Sequence, residues 1–165
     1  MTIKRILRHW LLPPWLVRRR FGPALLAAIA AAIGESEKLH RGELRFVIEG
    51  RLSLLQLLRG LSTRQRAIEQ FADQGVGHTA EHSGILIYLL LAERQVEIVA
   101  DSGITAKVGQ AEWDALCHGM TAQFAQGHYR EGALQGIAQA TCLLARHFPA
   151  GADNPNELAD PPLLV

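Results

Sequence analysis

The sequence predicts an α/β fold, a three-layer αβα sandwich with a small mixed sheet. Two observations lead to it. Ile85-Leu86-Ile87-Tyr88-Leu89-Leu90-Leu91 is a short unbroken apolar run bounded by Gly84 and by polar Glu93-Arg94-Gln95. Such a run is a central strand covered on both faces or a buried helix segment, and its β-branched content and bounding turns favour the strand. Val96-Glu97-Ile98-Val99-Ala100 follows the polar break as a second strand, and helix-period segments lie on both sides of the pair in the chain. Helices on either side of strands point to a sheet covered on both faces.

In chain order, Gly22-Pro23 starts the first helix of the domain, with proline at the first helical position. Leu26, Ile29, Ala30 and Ile33 then recur at helical spacing, and Glu35-Ser36-Glu37-Lys38 closes the helix before Gly42. From Glu43 to Glu49 the chain alternates, with Leu44, Phe46 and Ile48 on one side and Arg45 and Glu49 on the other, the pattern of a half-buried strand. The leucine-rich stretch from Leu52 to Leu61 lacks clear alternation and leaves open a short helix over the sheet edge. Ser62-Thr63-Arg64-Gln65 has the form of a capping box, ahead of a helix expected to bury Ala67, Ile68 and Phe71 and to end at Gly75.

After the strand pair, Trp113, Leu116, Cys117, Met120 and Phe124 form the stripe of a helix closed by Gly127. A last helix carries Leu134, Ile137, Thr141, Leu144 and Phe148 and stops at Pro149. The expected organisation is a basic, tryptophan-bearing arm over residues 1–22, a domain over 23–149, and an extended tail over 150–165. The helical crossover implies a parallel pair, and the turn at Arg94 an antiparallel one.

At 165 residues and net charge +1, the chain suits one globular domain and gives no whole-chain argument for nucleic acid. Cys117 and Cys142 form no Cys-x-x-Cys motif and are expected to be buried thiols. The apolar run from Leu25 stops at Gly34, short of the roughly 20 residues a membrane span needs. The start of the chain does not read as a cleavable signal, so the expected location is the cytoplasm.

His78-Thr79-Ala80-Glu81-His82 spells the H-x-x-E-H pattern of inverted zinc peptidases. That chemistry needs both histidines on a helix with a carboxylate base and a third ligand. The motif sits between Gly77 and Gly84, where a solvated loop fits better, with weak metal binding through Glu81 or His82 as a middle case. No phosphate-cradling glycine loop and no Gly-x-Ser-x-Gly elbow is present.

A geometric argument concerns the acidic residues at strand ends. If the strand from Leu44 runs parallel to that from Ile85, their starts share one sheet edge, and the returning strand brings Asp101 back to it. Glu43, Glu81, His82 and Asp101 are then candidates for a Ca²⁺ or Mg²⁺ site, since loop oxygens suit hard cations. The alternative is a set of solvated caps and turns.

In the arm, Arg8, Trp10, Trp15, Arg18, Arg19 and Arg20 mix indole with guanidinium, the mixture favoured at anionic bilayer surfaces. An arm folded onto the domain through its tryptophans and leucines is the competing reading. Pro13-Pro14 breaks any long helix there.

The chain also resembles the TPM domain family, the thylakoid-lumen phosphatase-like proteins. The resemblance rests on Gly42-Glu43-Leu44-Arg45-Phe46, on Ser83-Gly84-Ile85-Leu86-Ile87-Tyr88, and on Val96 to Ile104 with Asp101-Ser102-Gly103. Its most specific stretch is Phe124-Ala125-Gln126-Gly127-His128-Tyr129-Arg130-Glu131-Gly132, similar to a family Phe-x-x-Gly-x-Tyr-x-x-Gly motif. The resemblance implies an αβα sandwich, Ca²⁺ binding and weak acid phosphatase activity of the kind attributed to some members. Where members usually show Asp-Asn-Gly, this chain has Glu81-His82-Ser83-Gly84. The arm and the ending Asn156-Glu157-Leu158 are similar to a bacterial cytoplasmic subgroup whose genes often neighbour those of LemA-type membrane proteins. The expectation from the whole sequence is a non-enzymatic accessory module, peripheral on the inner membrane face, with a LemA-type partner and an anionic lipid surface. A metal-assisted acid phosphatase is the alternative.

Overall fold

The computed structural model describes residues 3–151 and 156–165. The arm forms two helices, α1 (Ile3–Trp10) and α2 (Trp15–Arg20), separated at the proline pair. The domain follows as α3 (Pro23–Glu37), β1 (Glu43–Glu49), α4 (Leu54–Leu58), α5 (Thr63–Asp73), a 3-10 turn at Val76–His78, β2 (Gly84–Leu90), β3 (Gln95–Ala100), α6 (Ser102–Thr105), α7 (Gln110–Ala125), α8 (Tyr129–His147) and β4 (Leu163–Leu164).

The sheet runs in the order β3-β2-β1-β4. β1 and β2 are parallel with Glu43 opposite Gly84, and β2 and β3 are antiparallel with Ile85 opposite Ala100. β2 is therefore an interior strand, and every residue in it is buried. The mixed sheet expected from the crossover and the tight turn is present. Arg94 makes the turn at φ 52°.

Alternation divides the strands between two cores. Leu44, Phe46, Ile48, Ile85, Ile87, Leu89, Val96 and Ile98 face α3, α7 and α8, which contribute Ile29, Ile33, Trp113, Phe124, Ile137 and Leu144. Val47, Leu86, Tyr88, Leu90 and Val99 face the opposite layer, with Leu57 of α4 and Ala67 of α5. These are the three layers of the sandwich.

Several expectations require correction. β1 is buried on both faces except at half-buried Arg45, because its polar side is engaged at both ends: Arg45 donates to the tail carbonyls of Ala159 and Pro161, Arg66 Nε of α5 lies 2.8 Å from Glu49 Oε2, and the Tyr88 hydroxyl donates to the same oxygen at 2.8 Å. The tail is not merely extended, since Leu163 and Leu164 pair in parallel with Val47 and Ile48 as an edge strand. Ile68 is 50% exposed, and α5 buries Thr63 and Gln70 beside Ala67. Cys117 is half-buried, its thiol pushed up to about 12 by burial, while Cys142 is exposed on α8. The capping box at Ser62 forms, with the Gln65 N–H donating to Ser62 Oγ and Gln65 Oε1 accepting from the Ser62 N–H.

The arm is not an appendage that ends where the domain begins. Val17 and Phe21 enter the core formed by α3, α7 and α8, and Ile6 packs on the opposite core. The α1–α2 hairpin therefore straddles the sheet at the end where β1 and β2 finish.

Candidate functional site

Two regions follow from this architecture, at opposite ends of the parallel strands.

At the edge where β1 and β2 begin, the topology does bring the predicted residues to one side, but not into one set. Glu43 is buried, and its Oε2 accepts the N–H groups of Glu157 and Leu158 at 3.1 Å each. Burial pushes its carboxyl up, against those two bonds. Glu81 is instead exposed and paired with Arg41 at 2.9 Å. His82, at φ 51°, places Nδ1 3.4 Å from Asp101 Oδ2. Asp101 caps α6 through Oδ1, which accepts the Ser102 N–H at 2.6 Å. His78 lies in a 3-10 turn and Glu81 in a loop, so no helix presents the H-x-x-E-H residues together. Among the described residues no three His, Cys, Asp or Glu side chains are grouped as a metal site. The donor set as it stands does not fit a preformed cage for Ca²⁺ or Mg²⁺.

Sequence reasoning missed a second acidic group beside this edge. Glu37, at the end of α3, accepts the Leu44 N–H at 3.0 Å. Burial raises its carboxyl to about 8, with further pressure from the charges of Glu43 and Asp160. Asp160 lies over Gly34, where an added Cβ would approach Oδ2 to 2.8 Å. In the sequence Glu37 read only as part of the polar stretch that closes α3, and Asp160 as one acid of the tail.

The family motif residues act as close-approach and turn positions. Gly84 packs against the backbone of Val76, and Gly103 against the carbonyls of Glu81 and His82. Gly127, at φ 87°, turns the chain between α7 and α8. Gly132 lets Phe124 lie against α8. Tyr129 stacks on Phe124 at 5.6 Å between ring centres and meets the edge of Phe21 at 5.5 Å.

At the opposite end lies the arm. Arg5 Nε and His9 Nε2 both meet Glu93 Oε1, at 2.6 and 2.8 Å. The inward side of the hairpin is thus committed to the fold. Its outward side is not: Trp10 is 74% and Trp15 57% exposed, and Arg8, Arg18 and Arg19 are exposed beside them. Arg19 lies 5.7 Å over the Trp15 ring. Arg20 departs from the group expected at the membrane. Its Nη1 donates to the Tyr129 hydroxyl at 2.5 Å, and its guanidinium covers the Tyr129 ring at 4.8 Å. Among the described residues no helix is long and apolar enough to cross a membrane.

A three-layer sandwich with these glycine and tyrosine positions defines a class, and comparison with known proteins agrees. The TPM domain profile matches residues 20–141, and the chain belongs to that family. The BA42 protein of the psychrophilic bacterium Bizionia argentinensis is similar in structure, with a TM-score of 0.76 and 28% identity over 86% of this chain and 93% of that one. The N-terminal domain of a P. gingivalis protein shares the fold at a TM-score of 0.64 and 17% identity, covering 79% of this chain and 82% of that one. No curated protein matches the chain.

Proposed function

We propose that this TPM domain is a non-enzymatic accessory module at the cytoplasmic face of a membrane, where its arm meets anionic lipid and a LemA-type membrane-associated protein is its partner. One observation supports this above the rest. The arm is fixed to the domain by Arg5, His9, Val17 and Phe21, yet it leaves Trp10 and Trp15 in solvent among arginines. A hairpin serving only the core has no reason to expose two indoles, whereas a bilayer interface favours indole at head-group depth and arginine against anionic lipid. Any binding of Ca²⁺ or Mg²⁺ is weak and lies at the edge of Glu43, Glu81, His82 and Asp101, because the cation has to displace Arg41 from Glu81.

The test is partition onto vesicles. Binding to phosphatidylglycerol vesicles should weaken as salt rises, since each basic residue near the lipid contributes about 1 kcal/mol before screening. Tryptophan emission should shift blue on binding and lose that shift in a Trp10→Ala, Trp15→Ala variant. Equal partition at low and high salt, or none at all, rejects the reading. A metal-assisted acid phosphatase is the second reading, supported by the buried Asp101 Oδ2 beside His82. Robust phosphate release that disappears in Glu81→Ala and Asp101→Ala would establish it and displace the first.

A further inference from the structure

We propose that α4 is a second bilayer-contacting element, which inserts Leu54, Leu55 and Leu58 into the same anionic leaflet as Trp10. This rests on the membrane reading of the arm but concerns a segment far from it in sequence. α4 is a five-residue helix held by its own capping box, in which Gln56 N–H donates to Ser53 Oγ and Gln56 Oε1 accepts the Ser53 N–H. Of its four leucines only Leu57 is buried, while Leu54, Leu55 and Leu58 are 57–60% exposed. A single exposed leucine is ordinary, but three on one short projecting turn form an apolar patch that marks an interaction surface.

The patch continues onto the arm. The Leu52 N–H donates to His9 Nδ1 at 3.0 Å, tying the end of α1 to the start of α4. Trp10, Leu54 and Arg51 line one cleft of about 230 Å³. Arg51 also lines the neighbouring cleft with Trp15 and Val165. Arg51 is thus shared by a cleft of Trp10 and α4 and a cleft of Trp15 and Val165, and among the described residues it has no ion-pair partner.

Charge selects the occupant. No Asp or Glu occurs before Glu35, nor between Glu49 and Glu69, while Lys4, Arg5, Arg8, Arg18, Arg19 and Arg20 fall in the first interval and Arg51, Arg59, Arg64 and Arg66 in the second. The two segments that build this face are the two acid-free stretches that carry most of the basic residues. Of these ten, Arg5, Arg64 and Arg66 are paired with Glu93, Glu97 and Glu49, and Arg20 lies on Tyr129. Lys4, Arg8, Arg18, Arg19, Arg51 and Arg59 are exposed and make no ion pair among the described residues, and this surplus of positive charge around leucine and tryptophan is complementary to an anionic leaflet, with the leucines below head-group depth and the arginines at it.

The test uses the full chain on phosphatidylcholine vesicles with and without phosphatidylglycerol. A Leu54→Ser, Leu55→Ser, Leu58→Ser variant changes only exposed side chains and should keep its circular dichroism and melting curve. Its partition onto the anionic vesicles should fall about tenfold or more, from the apolar surface no longer buried in lipid. A Leu55→Cys probe carrying an environment-sensitive dye, in a Cys142→Ser background, should shift blue on binding. Wild-type binding that the triple variant retains, with an unshifted probe, overturns the role of α4 and leaves the arm reading standing. Absence of wild-type binding overturns both. A wild-type dimer that the triple variant abolishes, without vesicle binding, assigns the face to a second copy and also overturns the proposal.

Discussion

His9 and Glu93 lie 84 residues apart and meet at 2.8 Å between Nε2 and Oε1. Because the Leu52 N–H donates to His9 Nδ1, the ring proton sits on Nε2 and is donated to the carboxylate. Glu93 also accepts from Arg5 through Oε1 and from Thr63 Oγ1 through Oε2 at 3.0 Å. One turn residue between β2 and β3 thereby joins α1, α5 and the sheet. Ile6 and Phe21 then carry the hairpin onto both cores.

That junction predicts acid lability with a defined window. Burial alone would raise the Glu93 carboxyl, but the bonds from His9, Arg5 and Thr63 outweigh it and hold it at about 2, below its ordinary 4.5. A carboxyl depressed in the folded state stabilises above the unfolded value, and the benefit is lost as pH falls from 4.5 towards 2. His40 adds a separate loss. Burial lowers its imidazole from 6.5 to about 4, so stability falls as pH drops through that interval. Glu93→Gln should cost about 2–4 kcal/mol at neutral pH, the range for breaking a partly buried charged network. It should also flatten urea-denaturation stability below pH 4.5 while leaving the profile above it parallel to wild type, since the groups that titrate there, His40 and Glu37, are untouched. A variant curve parallel to wild type across the acid range contradicts the assignment.

The same junction shows what the sequence could reveal. Short-range patterns were legible: the apolar run of β2, the capping box at Ser62, the stripe of Trp113, Leu116, Met120 and Phe124, and the positive-φ Gly127 each depend on neighbours within a few residues. Glu93 read only as a polar break, because its partners sit in the arm and in α5. β4 was missed because two leucines after a proline pair show no alternation, and only the exposed edge of β1 turns them into a strand. Glu43 and Glu81 were rightly placed on one edge by topology. Their actual partners, the tail amides and Arg41, were set by side-chain reach that topology does not encode.

Tyr129 is expected to be a stability determinant. It is 7% exposed and closes an aromatic cluster with Phe21 and Phe124. Tyr129→Ala should destabilise by about 3–5 kcal/mol, the cost of deleting a large buried side chain. Tyr129→Phe keeps the rings and loses only the bond from Arg20, so about 0.5–1.5 kcal/mol is expected. Equal effects in the two variants would show that the hydroxyl, not ring packing, dominates.

Two motif glycines should tolerate no side chain. A Cβ at Gly84 would overlap the Val76 carbonyl, and one at Gly103 would come within 2.6 Å of the Glu81 and His82 carbonyls. Both obstacles are backbone and cannot rotate away, so each alanine variant should lose about 3 kcal/mol or more, or fail to fold. Gly119 is the internal control. It lies exposed in the middle of α7 with nothing within 4 Å of an added Cβ. Gly119→Ala should stabilise by about 0.5–1 kcal/mol through helix propensity. Thermal melts of the three variants separate the two cases.

Glu37 predicts the opposite pH behaviour from Glu93. Burial, aided by the charges of Glu43 and Asp160, raises its carboxyl from 4.5 to about 8 in spite of the bond from the Leu44 N–H. The folded protein therefore keeps a proton that the unfolded chain has released. The Glu37 contribution is constant below 4.5 and declines as pH rises from there to 8, with Glu43, also raised by burial, adding to the slope and His40 opposing it up to 6.5. Glu37→Gln keeps an oxygen for the Leu44 N–H and carries no charge at any pH. It should match wild type near pH 4 and exceed it by an amount that grows from pH 4.5 to about 8. Glu37→Leu leaves the Leu44 N–H without that acceptor and should cost about 1–3 kcal/mol at pH 4, where charge plays no part. Chemical denaturation from pH 4 to 9 reads all three. Parallel profiles for the Glu37→Gln variant and the wild-type protein would mean that Glu37 ionises normally in the fold, and that the end of α3 is wetter than its burial implies.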